Sequence, residues 1–125
     1  MQKLPSFLVA LSAAALASCS APASKEGEQV VNLYTARHYD SDLELYKRFT
    51  EETGIKVNWI EGRPDELVAR MRAEGANSPA DLFIAADAGA LWRAQQAGLF
   101  QAVSTDALTD AVPSNLRDPE GNWYG

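Results

Sequence analysis

From Val30 onward the chain switches repeatedly between two apolar periods, and no other feature limits its fold as tightly. Short runs of alternating β-branched and aromatic residues give way to stretches with apolar residues three and four apart, in a unit recurring about every 25 residues. Parallel strands need a long crossover between them, so this alternation predicts βαβ units and an α/β fold with a mostly parallel sheet flanked by helices. Val31, Leu33 and Thr35 alternate with Asn32 and Tyr34 in a first strand that ends near Arg37. Ser41-Asp42-Leu43-Glu44 has the spacing of a capping box and predicts a helix with Leu45, Tyr46 and Phe49 inward and Gly54 as its terminator. Ile55-Lys56-Val57-Asn58-Trp59-Ile60 alternates as a second strand. Pro64-Asp65-Glu66 opens a second helix, with Leu67, Val68 and Met71 as its buried stripe and Gly75 at its close. After Ser78-Pro79, residues 81–86 form an apolar run suited to a strand covered on both faces, expected at the centre of the sheet. Asp87 is placed to cap a third helix with Leu91, Trp92 and Ala94 or Gln95 inward, ending at Gly98, after which Leu99 and Phe100 return toward the core.

The first strand runs into a polar loop carrying the only histidine of the chain. Arg37, His38 and Tyr39 are thereby held at a strand's carboxyl end beside a helix N-terminus, where open α/β sheets bind ligands. Taken alone, a His-Tyr pair is a weak motif. The plainer alternative is that Tyr39 lies on the surface and that a backbone carbonyl satisfies His38.

Composition narrows the chemistry. A net charge of -6 argues against nucleic acid or an acidic membrane surface as a partner. One cysteine forms no internal disulfide, and one histidine excludes sites built on two or three imidazoles within the chain. There is no Gly-x-Ser-x-Gly and no phosphate-binding glycine loop, and the acids are spread as solvated charge usually is, so an enzyme is not expected.

Residues 1–18 read as an export signal, with Lys3 in the positive region and an apolar stretch too short to cross a bilayer. Leu16-Ala17-Ser18-Cys19 looks like a bacterial lipobox, in which Cys19 is lipidated and heads the mature protein; the alternative is an ordinary signal with Cys19 incidental. Several acyl chains would anchor the protein stably. Residues 19–29 lack an apolar period and read as a tether, and 30–125 as one domain. The closing Asp-Pro-Glu-Gly turn leads into Trp123 and Tyr124, and ending there on an aromatic pair with strand character reads as truncation.

Leu33-Tyr34-Thr35-Ala36-Arg37-His38-Tyr39-Asp40, Phe49-Thr50-Glu51-Glu52-Thr53-Gly54-Ile55-Lys56-Val57, Ser78-Pro79-Ala80-Asp81-Leu82-Phe83 and Asn122-Trp123-Tyr124-Gly125 together resemble the ferric-iron-binding proteins of bacterial ABC importers. These are periplasmic substrate-binding proteins of the FutA, IdiA or FbpA type. The resemblance implies a periplasmic-binding-protein type II fold, in which two α/β lobes joined by a hinge close on one ferric ion. This chain would supply most of the first lobe, the second being absent. The implied function is capture of ferric iron in the periplasm and delivery to an inner-membrane ABC permease, with iron as cargo and no catalytic cofactor.

Carried over residue by residue, Tyr39 matches the tyrosine given to the metal by the first lobe, and His38 a histidine that ligates in some members. Ferric iron is a hard acid suited to phenolate, and its binding forces off a proton that a phenol otherwise keeps to about pH 10. Arg37 either balances an acid or anion near the site or forms an ordinary salt bridge. Some members supply a glutamate after the third strand, where this chain has Ala86, so Asp87 is a helix cap first and a ligand second. Glu61, at the end of the second strand, faces the same crevice only if the strand order holds, and solvent is the plainer expectation. Tyr34 and Tyr46 are expected in the core, and Tyr124 in the strand leading out of the lobe. Most of the family's iron ligands, chiefly tyrosines, come from the second lobe, which implies that this chain alone binds iron weakly or not at all. The rival readings are a two-lobed protein for an anion, polyamine or sugar, and a nonfunctional remnant.

Overall fold

The computed structural model describes Gly27 and residues 29–125; the export signal, Cys19 and most of the tether lie outside the described residues. Strand β1 (Val30–Thr35) leads into helix α1 (Asp40–Thr53), strand β2 (Lys56–Glu61), helix α2 (Pro64–Glu74), strand β3 (Leu82–Ile84) and helix α3 (Ala88–Gln96). A short helix α4 (Asp106–Ala111) follows, which the sequence reading did not anticipate. The three strands are parallel in the order β2-β1-β3. The α/β class is as expected, but β1 and not β3 is central among the described residues. Leu33, Tyr34 and Thr35 of β1 are almost fully buried, whereas β3 has three residues and Leu82 is 50% exposed. An apolar run signals a covered strand without saying which neighbour covers it.

The period of two along β1 divides the interior. Tyr34 and Ala36 pack with Leu67 and Met71 of α2, and Val68, Ala80, Phe83 and Leu99 close around them. On the other face Val31, Leu33, Val57, Leu82 and Ile84 share an apolar groove with Leu45, Tyr46 and Phe49 of α1. Tyr46 is buried as expected, but Leu45 and Phe49 remain substantially exposed at the groove, and Trp92 of α3 is exposed where an inward position was expected; Ala90, Leu91 and Ala94 fill that role.

Two polar clusters fix the connections. The Tyr34 hydroxyl donates to both Glu74 oxygens at 2.8 and 3.0 Å, and Arg70 Nε and Ser78 Oγ each donate to the same carboxylate at 2.7 Å. Arg70 foremost, then Ser78, holds Glu74 below the usual carboxylate range, while burial foremost, then the Glu74 hydrogen bond, pushes the Tyr34 phenol up. Asp81 then ties the entry of β3 to β1, its carboxylate accepting from the Asn32 backbone N–H at 2.8 Å and its own N–H donating to the Asn32 carbonyl at 2.8 Å.

The second cluster closes the last segment. Asp118 Oδ2 accepts from the Asn122 and Glu120 backbone N–H groups and the Asn122 amide, and Oδ1 accepts from Gln95 on α3. Gln95 in turn accepts from Trp123 Nε1 at 2.8 Å, and the Tyr124 hydroxyl donates to the Val103 carbonyl at 2.6 Å. The expected turn is present, bridged between Arg117 and Tyr124, and both aromatics find polar partners. Gly121 has φ +79°, and a Cβ there would sit 2.8 Å from the Val103 carbonyl oxygen, so this turn requires glycine.

Candidate metal site

Three strand ends meet at one edge of the sheet. Thr35 lies opposite Glu61 on one side and Ile84 on the other, and the ladder runs one step further, with Gly62 N–H donating to the Thr35 carbonyl at 3.2 Å and Ala36 N–H to the Ile84 carbonyl at 2.8 Å. All three are carboxyl ends, so the loops leaving them open onto a common rim. Residues 36–39 leave from its centre, Glu61 and Gly62 from one flank, and residues 85–87 from the other.

The central loop is anchored from below by buried Thr35. The Arg37 N–H donates to Thr35 Oγ1 at 3.1 Å, which closes a tight turn directly after the strand. The Arg37 guanidinium then reaches forward to Asp42 in the first turn of α1, with Nε–Oδ2 and Nη2–Oδ1 contacts both at 3.0 Å. This bidentate fork pairs Arg37 with an acid at the start of α1. The fork also accounts for a departure from the expected helix start. Asp42 is drawn into the first turn, α1 begins at Asp40, and Ser41 lies inside the helix, so no capping box forms and Tyr39 is the N-cap residue without a side-chain cap. Asp40 and Asp42 in that turn still complement the helix dipole.

Tyr39 stands at the rim, 58% exposed, with the Arg37 guanidinium carbon 5.1 Å from its ring centroid. Next to it, His38 Nδ1 lies 3.3 Å from Glu61 Oε2. Glu61 therefore does not simply face solvent as expected, because the parallel register sets it beside the loop after β1. Sequence reasoning undervalued it since pairing between strands is not written in either strand. Thr35 and Asp42, which hold the loop, were also missed; the available signal was a threonine ending a strand and an Arg-Asp pair spanning loop and helix.

Asp87 acts as the cap of α3, with Oδ1 accepting from the Ala90 N–H at 2.9 Å. The structure brings His38, Tyr39, Arg37 and Glu61 together and leaves Asp87 engaged on its own helix. Among the described residues, no three of His, Cys, Asp and Glu gather as a metal site. The rim thus offers one phenol and one imidazole, with a carboxylate behind the imidazole. That set suits part of the coordination sphere of a hard cation and leaves the rest to other groups.

Comparison with known proteins agrees with the fold and the order of motifs. The chain is 50% identical over 125 residues to iron uptake protein A1 of Synechocystis sp., an alignment that covers 95% of this chain and 35% of that protein. It superposes with TM-score 0.74 on a Trichodesmium IdiA (FutA) protein solved with iron and citrate ligands, at 55% identity over 77% of this chain and 30% of the other. It superposes with TM-score 0.74 on the ferric binding protein from Campylobacter jejuni, at 46% identity over 75% of this chain and 30% of that one. The chain spans about a third of the length of the curated relatives it matches. Residues 44–125 match the family model described as bacterial extracellular solute-binding protein. With that model covering most of the domain, and the parallel sheet and its rim arranged as above, the chain belongs to the bacterial extracellular solute-binding proteins.

Proposed function

We propose that this chain is the first-lobe portion of a protein that captures ferric iron in the periplasm and delivers it to an ABC permease of the inner membrane. Tyr39 and His38 are the ligands it contributes. The observation that carries this reading is the presentation of the Tyr39 phenol at the rim, on the loop from the central strand and directly beside His38. Ferric iron displaces the phenolic proton and holds the phenolate oxygen, and the neutral imidazole adds a second donor. Arg37 acts through Tyr39 by holding the loop against α1, and Asp87 by starting α3 beside the rim. Names of the similar proteins, iron uptake protein A1 and the iron- and citrate-bound IdiA (FutA) protein, support iron as the cargo.

In this reading residues 1–18 direct export, Cys19 carries the lipid anchor, residues 19–29 are a tether, and 30–125 form the lobe. Two donors do not enclose a ferric ion, so the 125-residue chain alone binds it weakly, and tight capture needs a second lobe closing on the first. Titration with ferric citrate, followed by the visible tyrosinate-to-iron absorption, tests this. A strong band in the complete two-lobed protein and a weak one in this chain are expected. Absence of any band in the complete protein would overturn the iron reading in favour of another solute.

A further inference from the structure

Glu61 and His38 arrive from different loops, and the sheet holds them together. Glu61 is the last residue of β2, fixed opposite Thr35 by the parallel register and by the Gly62 N–H to Thr35 carbonyl bond that follows it. His38 is three residues past Thr35 on the anchored loop. Their contact, 3.3 Å between Nδ1 and Oε2, has both side chains about half exposed, and such a pair contributes little to stability. Its consequence is chemical. An ionised carboxylate only accepts hydrogen bonds, and a neutral imidazole has one N–H and one lone pair. A contact made through Nδ1 therefore places the N–H on Nδ1 and leaves Nε2 as the donor atom for a metal.

We infer that Glu61 is the positioning residue of this site, setting the His38 ring in its Nδ1–H tautomer so that Nε2 is free to bind the cation. This rests on the iron reading for its purpose, and not for its geometry. A carboxylate behind a metal-binding imidazole fixes ring orientation and raises the basicity of the ligating nitrogen. In this arrangement Glu61 acts on the cation across the imidazole ring, from the Nδ1 side.

Because the chain has a single histidine, its imidazole nitrogens give one set of long-range proton–nitrogen correlations, which report the tautomer without any metal. At alkaline pH, where imidazole is neutral, the wild-type chain is expected to show Nδ1–H, Glu61→Ala to shift toward the Nε2–H form, and Glu61→Gln, whose amide oxygen still accepts, to keep Nδ1–H. In the complete protein, competition against citrate is expected to show a loss of ferric affinity on the order of 10- to 100-fold for Glu61→Ala, largely recovered in Glu61→Gln. A wild-type Nε2–H tautomer, or one unchanged in Glu61→Ala, would overturn the inference. So would Glu61→Gln losing affinity as severely as Glu61→Ala while keeping Nδ1–H, since Glu61 would then be a ligand itself. Failure of the iron reading is read separately, from ferric affinity unchanged by Tyr39→Phe, and leaves the tautomer result intact.

Discussion

Asp42 decides more about the rim than any residue that touches it. Its carboxylate takes both arms of the Arg37 fork, and Arg37 covers the ring of Tyr39, so one acid at the start of α1 sets where the phenol stands. Asp42→Ala should cost about 1–2 kcal/mol, toward the low end for hydrogen bonds to a charged group because the Arg37 side chain is 37% exposed, measurable as a lower urea midpoint. An unchanged midpoint would mean the fork does not anchor the loop. His38 and Tyr39 stood out in the sequence because a polar loop followed an alternating strand and matched a family motif. The partners that position them did not stand out. Glu61 depends on strand register, and Asp42 depends on a loop conformation, neither of which has a local signature. Ser41 was misread for the same reason, since the tertiary fork outweighed the capping-box pattern.

Among the elements, most helix boundaries followed their local signals, the Ser41 capping box excepted. Pro64 opens α2, Asp87 caps α3, and Gly54 with φ +74° ends α1. Strand β3 was legible as a strand and not as an edge, because order in a sheet is set by crossovers and not by strand composition. The terminal turn carries a pH prediction. The Asn122 backbone N–H above all, with the Asn122 and Gln95 amides and the Glu120 N–H, holds the Asp118 carboxyl below its usual range. A depressed folded-state value means that the unfolded chain takes up the proton first as pH falls. The stabilisation is therefore complete above the unfolded carboxylate value of about 3.9 and is lost as pH drops through the folded value. Asp118→Asn should lower the urea midpoint at neutral pH and flatten its decline as pH falls below about 4. A decline as steep as the wild type's would assign the acid sensitivity to another group, Glu74 being the next with a depressed carboxyl.

At the level of the whole molecule, the two faces of the sheet are unequal. Among the described residues, the face toward α2 is closed over Tyr34 and Ala36, whereas the face toward α1 keeps an apolar groove lined by Val31, Leu33, Leu45, Phe49, Val57, Leu82 and Ile84. Exposed apolar surface of this kind binds apolar reporter dyes. The 125-residue chain should therefore enhance the fluorescence of such a dye while retaining native circular dichroism, and Leu45→Glu at the groove's margin should reduce the enhancement without unfolding the chain. Dye binding untouched by Leu45→Glu would place the exposed surface elsewhere. The overall architecture was legible because strand–helix alternation permits few topologies, while the inequality of the faces depends on how α1 packs and had no sequence signal.

The proposed role of the rim at the carboxyl end of β1 is to give the Tyr39 oxygen to ferric iron. Its most direct test is the ferric affinity of the complete protein, wild type against Tyr39→Phe, by competition with citrate. Tyr39 is mostly exposed, so the variant should fold and melt as the wild type does. A loss of at least about 100-fold is expected, more than the removal of a supporting residue brings, together with a weakened tyrosinate-to-iron absorption. Equal affinity in the two proteins would contradict it and remove this loop from the iron site.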